Sequence, residues 1–195
     1  MSTGKIVSVE ALLRWNHPQL GFIPPLEIID IAEQNGLGEA LGEWVLKTAC
    51  RQNQQWRERG YNLHVAVNTS PSMYLSGNLE DMISGILAET GLPPSALVIE
   101  VTEDTAMHEI TSAPEILNNL YKLGVQVALD DFGTGYSSLS QLKYLSLHKL
   151  KIDKSFVQKL HEEEVGLSLV LAIIMVAKSM GIKVVAEGIE EFSHY

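Results

Sequence analysis

The chain has 195 residues, 46% of them hydrophobic and 19% charged, and a formal net charge of -10. That length fits one domain with a sizeable core. The acidic balance, with no Lys/Arg run, argues against a duplex nucleic acid, whose binding draws on cationic phosphate contacts, and the single Cys50 rules out an intrachain disulfide and points to a reduced, cytoplasmic setting.

Residues 6–15 are apolar enough to predict a first strand, which carries Glu10 and Arg14, and Asn16-His17-Pro18 with Gly21 breaks it. Pro24-Pro25 suits a helix start. Leu26, Ile29 and Ile31 then follow at helical spacing up to a stop at Gly36. The longest predicted helix covers 37–59 and ends at Gly60. A strand at 63–68 comes next, then a helix at 79–90 closed by Gly91 and Pro93-Pro94. Further predicted elements are a strand at 97–102, a helix at 113–123, a strand at 125–131, a helical stretch at 138–144 and a strand at 147–152. Residues 163–180 predict a helix buried on most sides, and its apolar core falls short of the ~20 residues of a membrane span. A strand at 182–186 ends the pattern, and the N-terminus has no signal-peptide core. Strand and helix alternate, which predicts an α/β fold with parallel strands and helical crossovers. A closed eight-stranded barrel typically needs ~250 residues. The six predicted strands therefore fit either an open sheet or an incomplete barrel.

Chemistry collects at the C-terminal ends of these strands, the face that carries the site in parallel α/β folds. Glu10, Asn68, Glu100, Asp130, Asp131 and Glu187 are all oxygen donors placed there. No His-x-x-x-His or Cys-x-x-Cys spacing appears, which disfavours zinc. Carboxylates with an amide oxygen suit Mg²⁺ or Mn²⁺. Consecutive carboxylates at Asp130 and Asp131 can reach two neighbouring ions, a device for phosphodiester cleavage. Each residue also has an ordinary reading. Asp130 can cap the Gly133 turn, Asn68 can cap the turn at Pro71, and Glu187 can sit in a surface turn. Lys151 lies between Leu150 and Ile152 and must either reach the surface or meet carboxylates inside. Asp153, two positions on, is its expected same-side partner. The six histidines form no evident cluster.

Six segments resemble the EAL domain family, in order and across essentially the whole chain. They are Glu10-Ala11-Leu12-Leu13-Arg14-Trp15, Asn68-Thr69-Ser70, Glu100-Val101-Thr102-Glu103, Asp130-Asp131-Phe132-Gly133 continuing through Leu139, Lys151-Ile152-Asp153, and Ala186-Glu187-Gly188-Ile189-Glu190. The resemblance implies a TIM-like (β/α) barrel of the EAL type and a cyclic di-GMP phosphodiesterase that opens its substrate to linear pGpG with Mg²⁺ or Mn²⁺ in a two-metal site. By match, Glu10, Asn68, Glu100, Asp130, Asp131 and Glu187 would hold metal. Lys151 would orient the attacking water with support from Asp153, and Glu10 and Glu187 count among the catalytic residues. Arg14 and Leu12 would contact the substrate. Glu103 would brace the loop after Asp131, whose position in the family couples metal binding to dimerisation, and the resemblance implies a homodimer through that region. The family normally has a strand before the Glu10 strand and a further strand and helix, with an active-site glutamine, after Glu190. The expectation is therefore a single domain over 4–195 with about six of eight strands. Glu10 and Glu187 would lie on edge strands, and the chain alone would be a weak enzyme. The alternative is a catalytically impaired fragment or a module that only binds cyclic di-GMP.

Overall fold

The computed structural model describes residues 4–133, 141–158 and 164–189. Among the described residues, eight strands and seven α-helices follow one another: β1 Ser8–Ala11, β2 Trp15–His17, β3 Gly21–Ile23, α1 Pro25–Gln34, α2 Gly38–Glu58, β4 His64–Asn68, α3 Pro71–Leu75, α4 Leu79–Thr90, β5 Leu97–Thr102, α5 Ala113–Leu123, β6 Gln126–Phe132, β7 Lys149–Ile152, α6 Lys154–Gln158, α7 Glu164–Ser179 and β8 Lys183–Ala186. The main sheet is six-stranded and parallel, in the order β1-β4-β5-β6-β7-β8. Every step from β4 onward joins chain neighbours, as strand–helix alternation predicts.

Contacts divide the chain into two compact units, Met1–Ile99 with Leu123–Val125, and Glu100–Lys122 with Gln126–Tyr195. In the first, β1 pairs in parallel with β4, Glu10 opposite Ala66. Leu46 and Cys50 of α2 are fully buried, as are Val67, Tyr74 and Ile83 to within a few per cent. Burial pushes the Cys50 thiol up to about 12, so this cysteine is a packing residue. Asn53, also buried, donates from Nδ2 to the carbonyls of Leu63 and Ala96 at 3.2 and 3.3 Å, fastening α2 to the entrances of β4 and β5. In the second unit, β6, β7 and β8 form consecutive parallel pairs. Leu129 and Leu150 face each other in that ladder, and both are fully buried.

Most predicted elements lie where the apolar pattern puts them, with three differences. The single strand expected over 6–15 is shorter, and its end belongs to a hairpin in which Trp15–His17 pairs antiparallel with Gly21–Ile23. His17 Nδ1 accepts the Gln19 and Leu20 N–H groups, so the residue that reads as a break builds the turn. The helix expected to be buried on most sides, α7, buries one stripe, Val170, Ile173 and Ala177, while Leu167, Leu171 and Met175 are exposed. The stripe recurs at positions i, i+3 and i+7, so only one helical face is covered. Of the helix expected over 138–144, a 3₁₀ turn at Gln141–Tyr144 is present, and 138–140 lie outside the described residues. No described helix is long and apolar enough to cross a membrane.

Candidate active site

In the second unit, β5 contributes Glu100, β6 contributes Asp130 and β7 contributes Lys151, all buried and all near the C-terminal ends of parallel strands. The Lys151 ammonium meets Glu100 Oε2 at 3.1 Å, Asp130 Oδ2 at 3.0 Å and Glu187 Oε1 at 2.7 Å. Only 6% of Lys151 is exposed. A buried ammonium is tolerated when carboxylates pair with it and its protons are used in hydrogen bonds, and here three carboxylates do so. Strand alternation points Lys151 to Asp153, but β7 stops at Ile152, and the carboxylates found on the ammonium come from other strands or their ends. Asp153 Oδ1 accepts the Ser155 N–H at 2.9 Å, at the start of α6.

Consecutive strand residues normally point to opposite faces, yet carboxylate oxygens of Asp130, Asp131 and Glu187 lie within 4.8 Å of one another. The register explains this. Leu129 pairs with Leu150 and Phe132 with Ile152, so two residues of β6, Asp130 and Asp131, span the place of one residue of β7, Lys151. This is a β-bulge, a device that re-aims side chains. Asp131 has φ 54°, the one positive value among described non-glycine residues. Aspartate enters this left-handed region more readily than most residues. Its N–H donates to Asp130 Oδ1 at 3.0 Å, which fixes one carboxylate against the bend.

The surroundings hold these groups in place. The Glu187 N–H donates to the Ile152 carbonyl at 3.1 Å, extending the β7–β8 ladder by one step. Gly188 follows with φ 67°, and a Cβ there would lie 2.6 Å from the Lys154 Cβ. Glu103, 2% exposed, accepts the Gly133 N–H at 2.8 Å. Gly133 has φ 100°, and a Cβ on it would meet the Phe156 ring at 3.0 Å. Phe156 escaped the sequence reading because nothing in its local pattern ties it to a turn 23 residues away. The motif residues 134–139, the stretch expected to serve dimerisation and Glu190 lie outside the described residues.

Burial raises the Asp131 and Glu187 carboxyls above their ordinary values. For Asp131 the nearby Asp130 and Asp153 charges add to the effect, and for Glu187 the Lys151 hydrogen bond opposes it. Two carboxyls raised by burial and by neighbouring charge mark a place where added positive charge would be favourable.

In the first unit, Asn68 Nδ2 donates to Glu10 Oε1 at 2.7 Å across the ends of β1 and β4. This bond, and not a cap on α3, is what Asn68 makes: Ser70 occupies the N-cap position of α3. Because Asn68 is oriented through its nitrogen, its carbonyl oxygen is the atom suited to a ligand role. Leu12 and Arg14 line a cavity of ≈ 330 Å³ with Asn68, Pro25, Ile29 and Glu33. Glu33 was not singled out from sequence; its Oε1 accepts from Ser72 Oγ at 2.8 Å.

The donor set passes the chemical test for a hard divalent cation, since every candidate ligand is an oxygen. Oxygens on one octahedral Mg²⁺ lie at most roughly 4.2 Å apart. The 4.8 Å span of the Asp130, Asp131 and Glu187 oxygens needs only a small contraction to match that.

The family model described as EAL domain matches residues 1–193. The chain belongs to the EAL domain family. Its fold is that of solved EAL domains: against a structure titled "PaMucR Phosphodiesterase, c-di-GMP complex" the TM-score is 0.92 at 42% identity, covering 98% of this chain and 78% of that one. The EAL domain of Mycobacterium smegmatis DcpA gives 0.82 at 37% identity, covering all of this chain and 79% of that one. Among curated proteins, this EAL domain is 43% identical over 188 residues to the bifunctional diguanylate cyclase/cyclic di-GMP phosphodiesterase MucR of Pseudomonas aeruginosa. It is 41% identical over 187 residues to the cyclic di-GMP phosphodiesterase PdeR of Escherichia coli. Each alignment takes in 96% of this chain but only 27% and 28% of those proteins, so the chain spans just over a quarter of their length.

Proposed function

We propose that this EAL domain is a metal-dependent phosphodiesterase that hydrolyses cyclic di-GMP to linear pGpG. The observation that carries the reading is the convergence of Asp130, Asp131 and Glu187 oxygens within 4.8 Å, beside a buried lysine. The names of its relatives supply the substrate class. Glu10, Asn68, Glu100, Asp130, Asp131 and Glu187 are the proposed ligands, each by its match to the family motif. Mg²⁺ or Mn²⁺ held by such groups polarises the phosphodiester and makes water a competent nucleophile at neutral pH.

The chain's own residues do the rest. The Lys151 ammonium orients the attacking water and offsets negative charge that grows as the phosphorus–oxygen bond forms. Asp153 supports that end of β7. Arg14 takes a non-bridging phosphate oxygen, for which a guanidinium fork is well shaped, and Leu12 offers apolar contact to the substrate. Glu103 keeps the turn after Asp131 in place through the Gly133 N–H. A cytoplasmic setting fits a soluble nucleotide substrate.

The test is product analysis. Incubated with cyclic di-GMP and Mg²⁺ or Mn²⁺, the chain should yield pGpG, and a chelator or Glu10→Ala should abolish it. Tight binding of cyclic di-GMP with no product would leave a binding module instead. No competition by cyclic di-GMP, together with hydrolysis of simple phosphomonoesters, would point to a different two-metal phosphatase.

A further inference from the structure

Two of the carboxylates that could hold a metal are ion-paired to a lysine. Asp130 and Glu187, with Asp131, form the oxygen cluster. The same two, with Glu100, are ion-paired to Lys151 at 2.7–3.1 Å. An ammonium and a divalent cation therefore want the same oxygens. They want them at different distances: the Lys151 contacts fall in the ordinary ammonium–oxygen range, whereas Mg²⁺ draws its oxygens in to 2.0–2.1 Å. Carboxylates at such spacing, two of them at least partly buried, repel one another unless a cation sits among them. Lys151, anchored in a fully buried strand segment between Leu150 and Ile152, delivers that cation from the protein itself.

We infer that Lys151 is a built-in placeholder for the metal: its ammonium keeps Asp130 and Glu187 gathered in the metal-free protein, and a divalent ion binds by taking at least one of them from it. Glu100, the third carboxylate paired with the ammonium, stands outside this competition only in part, since it is itself among the proposed ligands. This rests on the metal-dependent reading above and adds a competition that the reading does not contain. Lys151 is then a positioning residue for the metal centre, apart from any part it plays with water. The consequence is a trade. The lysine secures the shell before loading, and it lowers affinity for the ion by competing with it.

The test compares Mn²⁺ binding to the intact chain and to Lys151→Met, which keeps length and loses charge, by titration calorimetry with no substrate present. Lys151→Met should bind Mn²⁺ at least ~5-fold more tightly, the lower end of ordinary coupling between two bound species. It should also melt lower without metal and gain more in Tm when Mn²⁺ is added. Lys151→Arg, which keeps the charge, should resemble the parent. Equal or weaker Mn²⁺ binding by Lys151→Met would overturn the placeholder role and leave the metal centre standing. Failure of the parent and variants alike to bind Mn²⁺ at millimolar concentration would overturn the metal centre itself. A crystal structure of the unmutated chain with and without Mn²⁺ gives an answer that does not depend on a variant folding. Nζ should move beyond 4 Å (roughly the limit of an ion pair) from Asp130 or Glu187 when Mn²⁺ is bound. An ammonium that keeps all three contacts with Mn²⁺ in place would overturn the inference.

Discussion

In the second unit three carboxylates meet Lys151 at 2.7–3.1 Å, with the lysine, Glu100 and Asp130 buried and Glu187 partly so. In the first unit Glu10 and Asn68 meet at 2.7 Å with both side chains open to water. Both sets are oxygen-rich and both sit at the ends of parallel strands. Only the buried set must balance its charge internally, because water solvates Glu10 whether or not Asn68 is present. Position on a strand end makes a residue available for chemistry, and burial decides how strongly the rest of the protein depends on it.

Lys151→Ala breaks the comparison most severely. Removing one partner from a buried ion cluster typically costs ~3–5 kcal/mol, so denaturant unfolding of the metal-free chain should show a large loss. Turnover should fall by ~10²–10⁴ if the ammonium assists proton movement at the attacking water. A stable variant with unimpaired turnover would mean that the ion pairs are incidental.

Gly188→Ala should act through the same cluster without touching a charge. The left-handed backbone alone costs ~1–2 kcal/mol for an L-residue, and the Lys154 Cβ stands 2.6 Å from the new methyl. Thermal melting should report at least that loss. Unchanged melting would show that the Glu187 end of β8 is free to shift. Glu103→Ala comes next, because it takes the acceptor from the Gly133 N–H. A fully buried donor left unsatisfied costs ~1–3 kcal/mol, the half-buried Gly133 N–H should cost less than that, and Glu103→Gln, which keeps an acceptor oxygen, should recover part of the loss.

The pH response sharpens the comparison from another side. Burial raises the Glu187 carboxyl in the fold, so the folded chain holds that proton more tightly than the unfolded one. Its contribution is full below the ordinary carboxylate pKa of roughly 4 and is lost as pH rises through the raised value. The Tm of the metal-free chain minus that of Glu187→Gln should therefore fall as pH climbs from that point. A gap that stays constant with pH would contradict the raised value. The smallest effect belongs to Glu10→Gln. Its stability should change by less than ~0.5 kcal/mol, as for most exposed sites, while turnover collapses if Glu10 is a ligand.

Elements with a clear apolar period and a glycine stop were legible. Helix α4 runs over the predicted 79–90, and Gly91 closes it with φ 72°. Helices α3 and α6 have five residues each, too few for a period to show. The β2–β3 hairpin was hidden by its own turn, since Asn16, His17 and Pro18 look like the end of a strand and not the middle of a motif. Donor residues at strand ends were legible because parallel strands share one polarity. The partners of Lys151 were not. Alternation points to Asp153, but β7 ends first, and Glu100 and Glu187 lie 51 and 36 residues away with nothing local to link them. The bulge left no trace either: Asp-Asp reads the same in a regular strand and in a bent one.

That bulge separates architecture from chemistry in an unusual way. Asp131 is the surplus residue of β6, and Phe132 on its far side already pairs with Ile152. Loss of the Asp131 codon would let β6 run straight, with Asp130 opposite Lys151 and Phe132 still in register. At this point of the chain, a single deletion would subtract one proposed metal ligand and leave the pairing of Phe132 with Ile152 as it is.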